Sequence, residues 1–164
     1  MTKPTPRRTG LIKQAVKTAA AATISLYASR FLKLPEGYWA AISAIIVLQS
    51  NLEATFRTSV NRLAGTAIGA VVGALFAETV GVRLWMFGMA VMTAILVCVL
   101  LDQWESYRFA GVTVAIVMLT PHHASPWVVA LHRFAELSLG IVVALAAEAI
   151  AAKVRFRAAR PRAP

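Results

Sequence analysis

Long apolar runs, broken by short polar or turn-forming segments, predict an all-α membrane protein. Leu84–Leu101 and Phe109–His132 carry no charged residue, and Pro121 and Pro126 interrupt the second run. A membrane-spanning helix needs about 20 mostly apolar residues, with roughly 17 as the lower limit. The six predicted spans are Ala15–Leu32, Tyr38–Leu52, Leu63–Val80, Leu84–Leu101, Phe109–Thr120 and Trp127–Ala152. Two of these spans are short, and a four-span arrangement is the alternative.

The composition agrees with this pattern. Of the 164 residues, 59% are hydrophobic and 15% are charged, whereas soluble domains are about 45 to 50% apolar and about 25% charged. Such hydrophobicity excludes a disordered chain. The single cysteine, Cys98, lies inside an apolar run, so we expect a small buried side chain rather than a redox or metal residue.

The net charge of +10 is concentrated in the two terminal segments. These hold Lys3, Arg7, Arg8, Lys13 and Lys17 at one end, and Lys153, Arg155, Arg157, Arg160 and Arg162 at the other. A nucleic-acid-binding domain would mix basic and aromatic residues on a folded face, so no nucleic-acid partner is expected. Cations that flank apolar spans indicate cytoplasmic tails, here 1–14 and 153–164, around a membrane domain at 15–152. Lys13, Lys17 and the run Thr18–Ser29 also resemble a signal peptide, but an uncleaved first span is preferred because the chain stays hydrophobic.

The chain resembles itself at an offset of about seventy residues. Tyr38 and Tyr107 are 69 apart, Arg62 and Arg133 are 71 apart, and Gly69 and Gly140 are also 71 apart; Glu36 with Glu105 and Glu78 with Glu148 follow at 69 and 70. A unit of three spans is odd in number, so the second copy would enter the membrane from the opposite side. The pattern therefore predicts two inverted repeats, at about 15–80 and 82–152, with a site near the paired short spans. Chance similarity between apolar segments is the alternative.

Glycine spacing predicts close helix packing. Gly65, Gly69 and Gly73 are four residues apart, and Gly140 with Ala144 gives the sixth span a weaker version of this spacing. Small residues at such intervals let helix backbones approach each other within lipid. The expected partner of the first stripe is the sixth span or another subunit.

Charged side chains inside predicted spans are candidate functional groups, because charge at membrane depth costs about 2.5 to 3.5 kcal/mol on insertion scales. Arg62 and Arg133 would bind a substrate carboxylate, and Glu136, three residues after Arg133, would accept a coupling proton. Structural roles are the alternative: the arginines would extend to the interface, and Glu136 would only form an ion pair.

Weaker candidates are polar or aromatic residues at span ends. Trp39 would stack on an aromatic ring, although an aromatic belt explains it as well. Gln49 and Thr120 would bind substrate or cap an unwound backbone. Neither a cofactor nor a metal is expected: His122 and His123 are adjacent histidines without acidic or cysteine neighbours, and no nucleotide-binding or catalytic motif is present. The chain is not expected to be an enzyme.

Three motifs together resemble the membrane domain of the aromatic acid exporter and fusaric acid resistance (FUSC) family. They are the string from Tyr38 to Gln49, the pattern Arg62-x-x-Gly65-Thr66-x-x-Gly69, and the pattern Arg133-x-x-Glu136-x-x-x-Gly140. The resemblance runs from about Gln14 to Lys153 and adds Thr66 to the candidate substrate contacts. It implies a bacterial inner-membrane protein with six spans and proton-driven export of aromatic acids. Longer members carry a cytoplasmic domain and a second membrane unit, so a homo-oligomer, most simply a dimer, is expected.

Two functional hypotheses follow. The first is an inner-membrane efflux transporter, or half of one, for small aromatic or other organic acids, with both termini cytoplasmic. The second is a non-transporting membrane scaffold that self-associates through its glycine stripes and binds anionic lipid through its basic tails.

Overall fold

The computed structural model describes residues 8–120 and 124–159, and this part of the chain is entirely helical outside its connections. The helices are α1 (Arg8–Phe31), α2 (Tyr38–Val47), α3 (Leu52–Thr79), α4 (Leu84–Leu100), α5 (Tyr107–Leu119) and α6 (Pro126–Ala159). Among the described helices, α3 and the Pro126–Phe156 part of α6 are long and apolar enough to cross a membrane, whereas α2, α4 and α5 are shorter apolar helices.

Helices α1 and α4 end in the same way. Lys33 and Asp102 adopt left-handed backbone conformations, with φ of 54° and 57°. The amide N–H of Leu34 donates to the carbonyl of Ser29 at 3.0 Å, and that of Gln103 donates to the carbonyl of Cys98 at 2.8 Å. These are Schellman-type ends, which satisfy the last carbonyls of a helix and reverse the chain.

Helix α3 begins earlier than the predicted third span, which placed the start at Leu63. The side chain of Asn51 accepts a hydrogen bond from the amide of Ala54 at 2.8 Å and so caps the helix at Leu52. Hydropathy hides this start because the first three turns carry Glu53 and Arg57. Arg62 therefore lies well inside α3 and does not begin the span.

The apolar run Phe109–His132 is divided between two helices, in agreement with the separate predicted spans Phe109–Thr120 and Trp127–Ala152. Helix α5 ends at Leu119, where the Thr120 amide still donates to the Ile116 carbonyl. Helix α6 begins at Pro126, a residue suited to the first helical position because its missing N–H would have no partner there. His122 and His123 lie outside the described residues.

One of two compact units contains α1, α2 and the part of α6 from Leu139 onward. Ala21, Ser25 and Ser29 are fully buried on one face of α1. The Ser29 hydroxyl lies 3.1 Å from the Gly37 carbonyl, at the start of α2. Gly140 of α6 also contacts α2, so closely that an added Cβ would lie 2.7 Å from the Ser43 Cβ.

The other unit contains α3 from Arg57, then α4, α5 and the part of α6 up to Ser138. Ala90, Ala94 and Cys98 are fully buried on one face of α4, in a cluster with Ala110 and Val114 of α5. Cys98 is thus the small buried side chain that the sequence indicated.

The glycine stripe of α3 packs on α5. An added Cβ at Gly69 would lie 2.9 Å from both the Ala110 Cα and the Thr113 Cβ, and one at Gly65 would lie 2.7 Å from the Phe109 Cβ. The expected partner, the sixth span or another subunit, is therefore wrong. In each unit a long helix from one half of the sequence packs on the short helix of the other half.

We expect Gly69→Ala to destabilise the protein by about 1 to 3 kcal/mol, since its methyl group has no room against α5. Gly88→Ala is the matched control, because a Cβ at Gly88 meets nothing within 4 Å and alanine favours a helix over glycine by about 1 kcal/mol. Thermal unfolding of the purified protein in detergent checks both variants. Equal melting temperatures for the two would contradict close packing at Gly69.

Candidate functional site

Several charged and polar side chains are buried in the second unit. Arg62 and Thr66 of α3 are 4% and 1% exposed, and Arg133 and Glu136 of α6 are 2% and 0% exposed. Arg62 and Thr66 are one turn apart on α3, and Arg133 and Glu136 are three residues apart on α6, so each pair lies on one helix face. These four are candidate residues from the sequence, and the structure places all of them within one unit.

Arg133 and Glu136 form a buried ion pair. A terminal guanidinium nitrogen of Arg133 donates to a carboxylate oxygen of Glu136 at 2.9 Å. A buried charge is stable only when it is paired, because desolvation costs several kcal/mol per ion. The pair therefore keeps a guanidinium and a carboxylate inside the protein in a neutral combination.

The α3 residues offer a second guanidinium and a hydroxyl. The guanidinium carbon of Arg62 lies 5.1 Å from the centroid of the Phe109 ring, which is a cation–π distance. The Thr66 hydroxyl is buried and has no hydrogen-bond partner among the described residues. Buried hydroxyls nearly always have a partner, so this one is available to a ligand or water.

An apolar groove of about 280 Å³ lies between α3 and α6 in the same unit. Trp127, Leu131 and Phe134 line it from α6, and Ala67 and Val71 are among the α3 residues that line it. The groove occupies the turns of α3 and α6 that also carry Thr66 and Arg133. Its aromatic lining is suited to a flat apolar group.

The structure places Trp39 and Gln49 in the first unit, whereas the four buried candidate residues lie in the second unit. The Trp39 indole N–H donates to the Glu36 carboxylate at 3.2 Å, and its ring lies 5.5 Å from that of Tyr38. The Gln49 side-chain amide donates to the Ile46 carbonyl at 3.3 Å. Gln49 thus bonds to the last turn of α2, and its predicted roles in binding substrate or capping an unwound backbone stay predictions.

A charged cluster that the sequence did not single out lies in the first unit. Glu148 of α6 is fully buried, and its two carboxylate oxygens bind different cations: one binds Lys17 of α1, the other Arg155 of α6. Lys17 also donates to the Gln49 carbonyl at 3.0 Å, and Arg155 donates to the Ser50 carbonyl at 3.4 Å. The cluster joins α1, the α2–α3 connection and α6.

The sequence held one signal for this cluster. Glu148 lies inside a predicted span, where a carboxylate needs a partner. Arg155 is seven residues away on the same helix, but Lys17 is 131 residues away, which no local spacing could show. Glu78, the repeat counterpart of Glu148, is instead exposed and accepts a hydrogen bond from the Trp127 indole.

No group of three His, Cys, Asp or Glu side chains that could hold a metal ion occurs within residues 8–120 and 124–159. The first unit holds carboxylate, ammonium and guanidinium groups in the Glu148 cluster, and the second unit holds the Arg133–Glu136 pair and the apolar groove. Such groups bind and release organic anions and protons.

Comparison with known proteins assigns the chain to a protein family. The family described as "Aromatic acid exporter family member 1" matches residues 11–150. The chain belongs to the aromatic acid exporter family. The family resemblance recognised in the sequence is thereby confirmed, and family membership together with the apolar helices indicates a membrane protein.

Two curated relatives of this aromatic acid exporter family chain match over part of their length. The UPF0421 protein YgaE of Bacillus subtilis (strain 168) is 28% identical over 102 residues, which are 62% of this chain and 29% of that protein. A protein of Neisseria gonorrhoeae named "Uncharacterized protein ORF2" is 32% identical over 79 residues, which are 46% of this chain and 19% of that protein. The chain thus spans less than a third of either relative. No solved structure matches it.

We expect Glu148→Gln to destabilise the protein, because Lys17 and Arg155 would lose the carboxylate that they share. Breaking a buried ion pair costs about 3 to 5 kcal/mol. The expected loss lies near the lower end of this range, because the Arg155 side chain is half exposed to solvent. Glu53→Gln, which neutralises an exposed carboxylate of α3, is the control and should change stability by less than about 0.5 kcal/mol. Denaturant or thermal unfolding in detergent measures both. A Glu148→Gln protein as stable as the control would show that the cluster adds nothing to stability.

Proposed function

We propose that the protein exports small aromatic or other organic acids across the bacterial inner membrane, coupled to protons. The observation that carries this proposal is the burial of Arg62, Arg133 and Glu136 in the two long apolar helices of an exporter family member. Charges at such depth are costly and are retained where they bind substrates or move protons.

The Arg133–Glu136 pair supplies a mechanism for coupling. A guanidinium binds a carboxylate through two parallel hydrogen bonds, so the substrate carboxylate and Glu136 compete for Arg133. Protonation of Glu136 removes its charge and weakens its hold on Arg133, so a proton and the substrate carboxylate bind together. Export then follows the outward concentration gradient of the substrate and carries a proton with it. Substrate affinity therefore depends on the protonation of a single buried carboxyl group.

The rest of the substrate would bind near these charges. The aromatic groove between α3 and α6 accommodates a benzene ring, and Arg62 with the Thr66 hydroxyl offers further contacts to polar substituents. Binding of this kind, with a mostly apolar wall and a few polar groups, is typical of small-molecule sites. Trp39 and Gln49, near the two ends of α2, are proposed as substrate contacts within the first unit.

Six crossings with both termini in the cytoplasm are proposed on the basis of contacts within each unit. In the first unit, Lys17, Glu148 and the α2–α3 connection meet, so the start of α1 and the late turns of α6 lie at one end. In the second unit, Arg57 and Asn61 of α3 bind Glu105 of the α4–α5 connection, and Trp127 of α6 binds Glu78 near the end of α3. These contacts suit helices that cross in alternating directions.

An inverted duplication is proposed for the same helices. Gly69 lies on Ala110 and Thr113 in one unit, and Gly140 lies on Ala40 and Ser43 in the other. The matched glycines are 71 residues apart, and the residues they contact are 70 apart. Buried small residues also recur at 69, since Ala21 of α1 corresponds to Ala90 of α4.

Transport assays on two substitutions test the export proposal. Arg133→Ala should reduce gradient-driven export of benzoate from loaded cells at least tenfold, because the carboxylate loses its guanidinium. Glu136→Gln resembles the protonated carboxyl, so the purified protein should still bind benzoate, while export should no longer respond to a pH gradient.

The controls for this experiment are Arg108→Ala and Glu53→Gln, two exposed residues of the same types. Both should transport as the unchanged protein does, and all four variants should insert to equal levels. If Arg133→Ala exports benzoate normally, the export proposal is wrong, and the scaffold hypothesis explains the protein better.

Cysteine labelling tests the six crossings. In a Cys98→Ala background, single cysteines at Ser50 and Gln103 should react with an impermeant maleimide only after the cytoplasmic side is exposed. Cysteines at Leu34, Val80 and Ser125 should react in intact spheroplasts, because these connections are placed on the opposite side. Labelling of Ser50 and Leu34 from the same side would refute the arrangement.

A further inference from the structure

Helix α6 is longer than a bilayer core requires. Its 34 residues extend about 50 Å at 1.5 Å per residue, whereas the hydrocarbon layer is about 30 Å thick. If Trp127 marks one interface, as its indole position beside Glu78 suggests, the hydrocarbon layer ends about 20 residues later, near Glu148. The turns after Glu148 then lie in the headgroup layer.

The Glu148 cluster fixes α1 at the same depth. Lys17 binds the Glu148 carboxylate, and Lys13 lies one turn before it on α1, about 6 Å further toward the end of the helix. Lys153 and Arg155 occupy the corresponding turns of α6. Lys13, Lys17, Lys153 and Arg155 thus form one group, here called the basic end.

The side chains of the basic end are accessible from outside the protein. Lys13, Lys153 and Arg155 are exposed, and Arg155 still has N–H groups beyond those bound to Glu148 and Ser50. Exposed apolar side chains alternate with these cations: Ile12 on α1, and Val154 and Phe156 on α6. Cations interspersed with apolar side chains fit the boundary between lipid headgroups and acyl chains.

Charge is strongly one-sided at this end of the first unit. Where the structure describes the side chains at this end, residues 10–17 and 153–156 hold four Lys and Arg and no acidic residue. Glu148 is already paired, and Glu53 of α3 is the remaining acid near this end. At the opposite end of α1, by contrast, Arg30 and Lys33 are followed by Glu36. Electrostatic attraction to anionic lipid grows with each added cation.

We propose that the basic end binds the phosphate of anionic phospholipid headgroups, with Glu148 holding the α1 and α6 cations together as one surface. Lipid is the chosen source of the phosphate because the apolar side chains between the cations would contact acyl chains, which a free phosphate lacks. This lipid-binding proposal is independent of the proposed transport function, since the residues of the basic end do not belong to the Arg133–Glu136 site.

Native mass spectrometry of the full-length protein in nonionic detergent tests the proposal. The unchanged protein should bind phosphatidylglycerol in preference to phosphatidylcholine. Each cation near an anionic lipid surface contributes about fivefold in binding, so Lys13→Gln with Lys153→Gln should reduce this preference roughly 25-fold. Both substitutions leave Lys17, Glu148 and Arg155 in place.

The matched control removes two cations at the other end of α1. Arg30→Gln with Lys33→Asn deletes the same charge, and asparagine tolerates the left-handed backbone at residue 33. The phosphatidylglycerol preference of this variant should stay within about threefold of the unchanged protein. A salt titration of the unchanged protein is independent of folding effects, and the preference should fall as sodium chloride rises.

Four results would overturn the proposal. One is an equal loss of preference in both double variants, and another is no loss in the Lys13→Gln, Lys153→Gln protein. The third is displacement of bound phosphatidylglycerol by millimolar inorganic phosphate, which would assign the surface to a free anion. A salt-independent preference would likewise exclude the electrostatic surface.

Discussion

Direct backbone contact between a long helix and a short helix is the constraint on which this structure depends. Gly69 of α3 packs against α5, and Gly140 of α6 packs against α2. Neither contact has space for even a methyl group. In lipid, apolar side chains gain little by leaving the solvent, so helices associate through close packing and hydrogen bonds. The small buried faces of α1 and α4 serve the same purpose, since they bring each hairpin of helices close enough for a third helix to pack against it.

Close packing also determines where charge is tolerated. Once backbones touch, water is excluded, and each buried ionic group needs a partner within reach. Arg133 and Glu136 pair with each other on one helix, whereas Glu148 draws its partners from α1 and from a later turn of α6. The first pair lies within a single helix. The second network joins separate chain segments and stabilises them.

Several features of the fold and of the candidate site could be predicted from local sequence. The buried Cys98, the spacing of Arg133 and Glu136, the glycine intervals and the family resemblance all depend on neighbouring residues. The start of α3 could not be predicted in this way, because Glu53 and Arg57 lower the hydropathy of its first turns. The partners of Gly69 and Glu148 were also hidden, since both contacts join residues far apart in the chain. The alanine and serine face of α1 was missed because such residues are too common in apolar helices to stand out.

The packing of α3 on α5 has a consequence for biosynthesis. When α3 leaves the ribosome, the helix that will cover its glycine face has not yet been made, because residues 106–117 follow some forty positions later. Helix α2 is likewise made before its partner, because Gly140 follows about a hundred positions later. Neither half of the polypeptide can complete its own contacts during translation. Insertion must therefore leave early helices loosely associated, and the final arrangement forms only after the last helix has been synthesised.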